Sequence, residues 1–202
     1  MVVKVCGITN LDDALAAVDA GADALGFNFY PQSPRYIEPL TVARLCAAIP
    51  PDILKVGVFV DEPVARAAEL CAAAGLDIAQ LHGEARAASS PAPIRIWRAL
   101  PAGVDLAARI AASPADAFLI DTPSPLHGGT GTVFDWSLAA NLRARIILAG
   151  GLGPDNVAEA IRRVRPWGVD AASRLERAPG LKDHEKMRLF VKAARSESTI
   201  LC

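Results

Sequence analysis

The chain has little of what marks a metal centre, a disulfide framework or a nucleic-acid surface. Its four cysteines, Cys6, Cys46, Cys71 and Cys202, are scattered through 202 residues without CxxC or Cys/His ligand spacing. Neither a zinc site nor a set of disulfides is indicated, and a reducing cytoplasm is the expected location. The three histidines, His82, His127 and His184, make no ligand pattern. No serine stands in a GxSxG context, so a Ser-His-Asp triad is unsupported. Charge is balanced to a formal net −1, which leaves no footprint for nucleic acid or an anionic membrane. No apolar run reaches the roughly 18 residues of a membrane helix. The opening MVVKVCGIT lacks the basic and apolar regions of an export signal. The expected partner is a small molecule.

Apolar residues make up 52% of the chain, enough for one domain over residues 1–202, with 195–202 expected as a flexible tail. Short apolar or β-branched runs alternate with alanine-rich amphipathic stretches. Strands are expected at Val2–Cys6, Ala24–Phe29, Lys55–Val60, Ile78–Leu81, Ile94–Ala99, Ala117–Asp121, Arg145–Ala149 and Gly168–Ala172. Helices are expected at Leu11–Ala20, Thr41–Ile49, Pro63–Ala74, Glu84–Ser89, Ala107–Ala112, Ser137–Asn141, Pro154–Val164 and His184–Arg195. Asn10 and Thr41 read as N-caps, and Pro63 and Pro154 as first helical residues. Eight βα pairs predict an α/β fold closed as a (β/α)8 TIM barrel. A doubly wound open sheet also alternates strand and helix, but no GxGxxG follows the first strand.

In such a barrel the chemistry belongs where strands end and βα loops begin. That rule selects Cys6, Asn28, Asp61, Gln80 to Gly83, Arg98, Asp121, Gly150 with Gly151, and Ser173. Cys6 ends the first strand beside Gly7, where its thiol reads either as a base or nucleophile or as a small buried hydrophobe. Asp121 closes the apolar run AFLID; half-removed from water, it would hold a proton to donate, unless it only caps the next loop. The stretches HGGTGT at 127–132 and AGGLGPDN at 149–156 let backbone N–H groups approach an anion, or are ordinary turns. Arg35, in the proline-flanked loop YPQSPRYIEP, is placed for a two-donor contact to a carboxylate, or is a surface charge. His82 is read as a proton shuttle or as a rim hydrogen-bonding group.

With KVCGIT at 4–9, FYPQSPRYI at 29–37, QLHGE at 80–84, LIDT at 119–122, GGTGTVFDW at 128–136, LAGGLGPDNV at 148–157 and APGLKD at 178–183, the sequence resembles the phosphoribosylanthranilate isomerase family along nearly its whole length. The resemblance implies a cofactor-free, metal-free Amadori rearrangement of a phosphosugar in tryptophan biosynthesis, with Asp121 as general acid and Cys6 as base. It further implies substrate contacts from Arg35, Gln80, His82, Gly129, Gly131, Gly150, Gly151 and Ser173, in a monomer or homodimer. A related histidine-pathway or bifunctional sugar isomerase, which uses an aspartate where Cys6 stands, is the alternative enzyme. A non-catalytic phosphate-binding barrel is the alternative outside catalysis. The departure is AASRLE at 171–176 in place of a VSSGVE-like segment. Arg174 there turns either toward the phosphate cradle of Gly129, Gly131, Gly150 and Gly151 or outward to pair with Glu176 or Asp183, and the outward direction is the expectation.

Overall fold

Alternation along the first strand separates two environments. In β1 (Val2–Cys6), Val3 and Val5 are fully buried in the layer shared with the helices, which turns Lys4 and Cys6 to the opposite side. The computed structural model describes residues 1–83, 94–123 and 133–200, with side chains described as far as 197. The expected helix Glu84–Ser89 and the loop carrying His127, Gly129 and Gly131 lie outside these residues.

After β1 come α1 (Leu11–Asp19), β2 (Ala24–Asn28), α2 (Pro39–Ala48), β3 (Leu54–Val60), α3 (Val64–Ala74), β4 (Ile78–His82), β5 (Arg95–Pro101), α4 (Leu106–Ala111) and β6 (Ala117–Asp121). A 3-10 turn (Trp136–Ala139), β7 (Ile146–Leu148), α5 (Val157–Val164), β8 (Gly168–Ala171), a second 3-10 turn (Ser173–Leu175), the short pair β9 (Glu176–Ala178) and β10 (Leu181–Lys182), and α6 (His184–Ile200) complete the order. The eight long-range pairings are all parallel, and β8 returns to β1 through Val2↔Gly168 to Val5↔Ala171, closing the barrel. The fold is the (β/α)8 barrel that the alternation implies.

Two apolar populations hold it. Ala24, Val56, Ile78, Trp97, Ala99, Ala117, Leu119, Ile147 and Ala149 fill the barrel interior, while Val5, Leu25, Phe27, Phe118 and Val169 pack outward against Ala17, Val42, Ile161 and Phe190 of the helices. Burying each large aliphatic side chain contributes about 1.5–3 kcal/mol. The interior parity then continues toward the strand ends as polar residues: Lys4, Cys6, Gln80, His82, Asp121 and Asp170. Arg98 alternates with Trp97 and Ala99 and so takes the helix-facing parity, which removes it from the expected catalytic rim.

Several element ends differ from expectation for local reasons. α2 begins at Pro39 rather than Thr41, because proline is preset for a first helical position. Pro63 precedes α3 instead of opening it. α5 starts at Val157, not Pro154: the Asn156 side chain accepts from the Gly153 N–H (2.8 Å) and donates to the Gly151 carbonyl (2.9 Å), holding those residues as a loop. The expected tail is helical as far as Ile200. Arg195 donates to the carbonyls of Met1 (3.0 Å) and Gly21 (2.9 Å) and to Asp23 (2.6 Å), which fastens α6 across the base of β1. At that same end a hollow of about 440 Å³ is lined by Asn141, Arg162, Arg163, Arg165 and Trp167. Arg162 and Arg163 there offset the negative C-terminal end of α5.

Candidate active site

Lys4 is fully buried inside the barrel, and its ammonium donates to Asp170 Oδ1 at 2.9 Å. β1 and β8 are adjacent, with Lys4 paired to Asp170 in register, so the ion pair spans the closing seam. One step along β1, the half-buried Cys6 thiol shares this space. A Cβ built on Gly26 of β2 would lie 2.7 Å from Cys6 Sγ and 3.1 Å from Lys4 Nζ, so a side chain at position 26 would displace thiol and ammonium together. Burial raises the Cys6 thiol above its ordinary value, and the Lys4 ammonium works against that rise, with Lys182 adding to its effect. Burial alone would lower the Lys4 ammonium, but Asp170 and Cys6 outweigh it and hold the group charged.

Replacing Lys4 with methionine should raise the pH midpoint for iodoacetamide modification of Cys6, read peptide by peptide, by about one unit or more. An unmoved midpoint would mean that the ammonium does not act on the thiol. Cys46 and Cys71 give a clean background, because burial pushes them to about 11 and about 12.

Asp121 ends β6, and its carboxyl is raised to about 6 by burial, with the negative Asp170 adding to the rise and the Thr122 N–H and Lys4 opposing it. The Thr122 N–H bond to Asp121 Oδ1 is 2.7 Å long. Gly150 packs directly on this pair. It has φ 79°, and a Cβ on it would come within 2.3 Å of Thr122 Oγ1 and 2.9 Å of Asp121 Oδ1. Glycine is required there for both conformation and space. Gly151 follows with φ 63°, so the loop after β7 turns back beside the acid.

The loop after β2 brings in a third group. Arg35 Nε and Nη2 donate to Glu176 Oε1 and Oε2, each at 2.8 Å, and Lys182 Nζ donates to Glu176 Oε1 at 2.9 Å and to the Ala172 carbonyl at 3.1 Å. The Arg35 stem crosses Gly7, the residue after Cys6. A Cβ on Gly7 would meet Arg35 Cδ at 2.5 Å. Although burial opposes it, Arg35 and Lys182 hold the Glu176 carboxyl below its usual value. Two cations facing one carboxylate leave net positive charge beside Cys6. Asn28 steadies the loop, accepting from the Tyr30 N–H (2.8 Å) and donating to Ser33 (3.2 Å).

Gln80 and His82 occupy alternate positions of β4, with Gln80 Nε2 2.9 Å from His82 Nε2. Gln80 Oε1 is buried without a hydrogen-bond partner among the described residues. Ser173 opens the 3-10 turn after β8. Arg174 departs from its expected pairing. Its Nη2 donates to both carboxylate oxygens of Asp155 (2.8 and 2.7 Å), and its Nη1 donates to the Gly151 carbonyl (3.2 Å). Glu176 is already taken by Arg35 and Lys182, and Asp183 by Lys186. Among the described residues no cluster of three or more His, Cys, Asp or Glu side chains is placed to hold a metal ion.

Lys4, Asp170, Glu176 and Lys182 escaped selection at the strand ends. For Lys4 and Asp170 the signal was a charged residue at inward parity in an apolar strand; Glu176 and Lys182 stand on the short β9–β10 pair beyond β8 and carry no such local signal. Closure across the β1–β8 seam brings them together.

A closed parallel barrel with a thiol, a raised carboxyl and an arginine gathered at one mouth defines a barrel enzyme for acid–base chemistry on a small anionic substrate. The profile of the N-(5'phosphoribosyl)anthranilate (PRA) isomerase family matches residues 3–193. The N-(5'-phosphoribosyl)anthranilate isomerase of Pelobacter propionicus is 50% identical over 205 residues, covering 98% of this chain and 98% of its own. That of Solibacter usitatus is 48% identical over 199 residues, covering 97% and 98%. The crystal structure of phosphoribosyl anthranilate isomerase from Thermotoga maritima superposes with a TM-score of 0.87 at 40% identity, covering 97% of this chain and 100% of that one. The chain therefore belongs to the PRA isomerase family.

Proposed function

We propose that the chain converts N-(5-phosphoribosyl)anthranilate to 1-(2-carboxyphenylamino)-1-deoxyribulose 5-phosphate, an intramolecular redox isomerisation in tryptophan biosynthesis. The observation that carries this reading is the pairing of a carboxyl raised to about 6 with a thiol set among cations in one barrel mouth. A phosphoribosyl anthranilate isomerase structure solved with the reduced product analogue, TM-score 0.83 at 38% identity, supports it. The reaction needs a proton on the ribose ring oxygen, which opens the furanose to a Schiff base, and then a base at C2′. Asp121 donates the first proton. Cys6, as thiolate, removes the second to give the enolamine, which tautomerises to the ketone.

The substrate's ends are assigned by chemistry. Glu176 occupies Arg35 Nε and Nη2, leaving Nη1 for the anthranilate carboxylate. The unsatisfied Gln80 Oε1 accepts from a substrate hydroxyl or amine, beside His82. Gly150, Gly151 and Ser173 cradle the phosphate, together with Gly129 and Gly131 beyond the described residues. The free thiols of Cys6, Cys46 and Cys71 fit a reducing cytoplasm. No helix among the described residues is long and apolar enough to cross a membrane. The Thermotoga maritima relative is described as dimeric, which favours the homodimer over the monomer.

The test is fluorescence-monitored consumption of freshly made phosphoribosylanthranilate by the purified, folded protein; absence of turnover would defeat the reading. Arg35→Lys should raise KM about tenfold or more, because an ammonium cannot hold Glu176 through two donors and still present a third to the substrate carboxylate. Arg35→Ala should raise it further. Wild-type kcat/KM in both variants would reduce Arg35 to a structural partner of Glu176.

A further inference from the structure

The turns that follow β7 and β8 are joined by a single side chain. Arg174 leaves the turn after β8 and reaches the loop after β7, holding Asp155 through two contacts of 2.8 and 2.7 Å and the Gly151 carbonyl at 3.2 Å. The side chain lies against Gly153, where a Cβ would meet Arg174 Nε at 3.0 Å and Arg174 Cβ at 3.3 Å. From within the loop, Asn156 grips the same two residues, through the Gly151 carbonyl and the Gly153 N–H. The segment 151–155 is thus fastened at both ends, once by its own asparagine and once by the neighbouring turn.

We propose that Arg174 and Asp155 form a clasp that sets the spacing of the two halves of the phosphate cradle, with Arg174 as a positioning residue for phosphate binding. The proposal rests on the assignment of that loop to the phosphate. Asp155 balances the guanidinium charge, so the clasp acts through geometry. An arginine in place of glycine gives up backbone freedom, and its side chain adds a cross-loop tie that glycine cannot make. The pair is partly exposed, with side-chain exposures of 34% and 64%, so its effect is expected on binding and not on the chemical step.

Inhibition by inorganic phosphate, KM and kcat are measured for the parent, Arg174→Gln, Asp155→Asn and the double variant, together with amide exchange over residues 150–156. Each single change should weaken phosphate inhibition and raise KM by about threefold to tenfold, the size of one forked charge pair with an added hydrogen bond. In each, kcat should stay within about twofold and loop exchange should quicken. The double variant should be no worse than either single one, since both break the same tie. Phosphate inhibition unchanged in both single variants would make the pair mere surface charge. Tighter phosphate binding in Asp155→Asn with weaker binding in Arg174→Gln would mean that the guanidinium touches the phosphate itself. Additive losses in the double variant would equally overturn the clasp. If phosphate fails to inhibit even the parent, the cradle assignment falls first and the clasp with it.

Discussion

Asp121→Asn should lower turnover by about 10² to 10⁴-fold while making the protein more stable at neutral pH. Asparagine keeps the shape and can still accept the Thr122 N–H bond, but it has no transferable proton. The stability gain follows from the direction of the shift. Asp121 stands at about 6 in the folded protein against an ordinary 3.8. The folded state therefore holds this proton more tightly than the unfolded state does. The stability it contributes is complete below pH 3.8 and is lost as pH rises through about 6. A shift of this size corresponds to up to about 3 kcal/mol. Asparagine removes that loss, so parent and variant should melt alike near pH 4 and separate by several degrees at pH 8. Near-normal turnover would remove Asp121 from the acid role. A variant that melts at or below the parent at pH 8 would show that the buried charge is better compensated than the geometry implies.

Cys6→Ala should be at least as damaging, again by about 10² to 10⁴-fold in kcat, with substrate affinity retained because Arg35 and the glycine loops are untouched. Cys6→Ser should do little better, since an alcohol is a far weaker acid and supplies almost no alkoxide base. The Cys6 thiol itself is raised above its ordinary value by burial. The active fraction of the parent should therefore grow as pH rises until Asp121 loses its proton. That combination predicts a bell-shaped kcat/KM profile whose limbs belong to the interacting pair. Its alkaline limb should vanish in Asp121→Asn. Product formation by Cys6→Ala at the parental rate would reassign the base.

The barrel was legible because two periodicities agree along the chain, period two in strands such as AFLID and a helical period in the alanine-rich segments between. The placement of Cys6 and Asp121 at the barrel mouth was legible because each ends a strand. Lys4 lies mid-strand, outside the strand ends that the rim rule selects. Alternation puts Lys4 on the same face as Cys6, and the burial of Val3 and Val5 against the helices settles that this face is the barrel interior. The Arg35–Glu176–Lys182 cluster joins residues up to 147 positions apart, beyond the reach of any local pattern. Arg174 was assigned its nearest sequence neighbours as partners. Those carboxylates were already occupied, and a loop 19 residues earlier supplied the free one.

The Lys4–Asp170 pair also bears on how the chain can reach this structure. Its members stand 166 residues apart and meet only when the last barrel strand docks beside the first. Until then, any partly assembled barrel that buries β1 must carry an ammonium without its counter-ion, at a cost of several kcal/mol. Half-built barrels are thereby disfavoured relative to both the open chain and the closed ring. Because the two strands of the seam come from opposite ends of the chain, the final docking is expected to be slow. Ring closure and charge neutralisation become one event, so the buried pair beside the Cys6 thiol also serves as a latch on the cooperativity of folding.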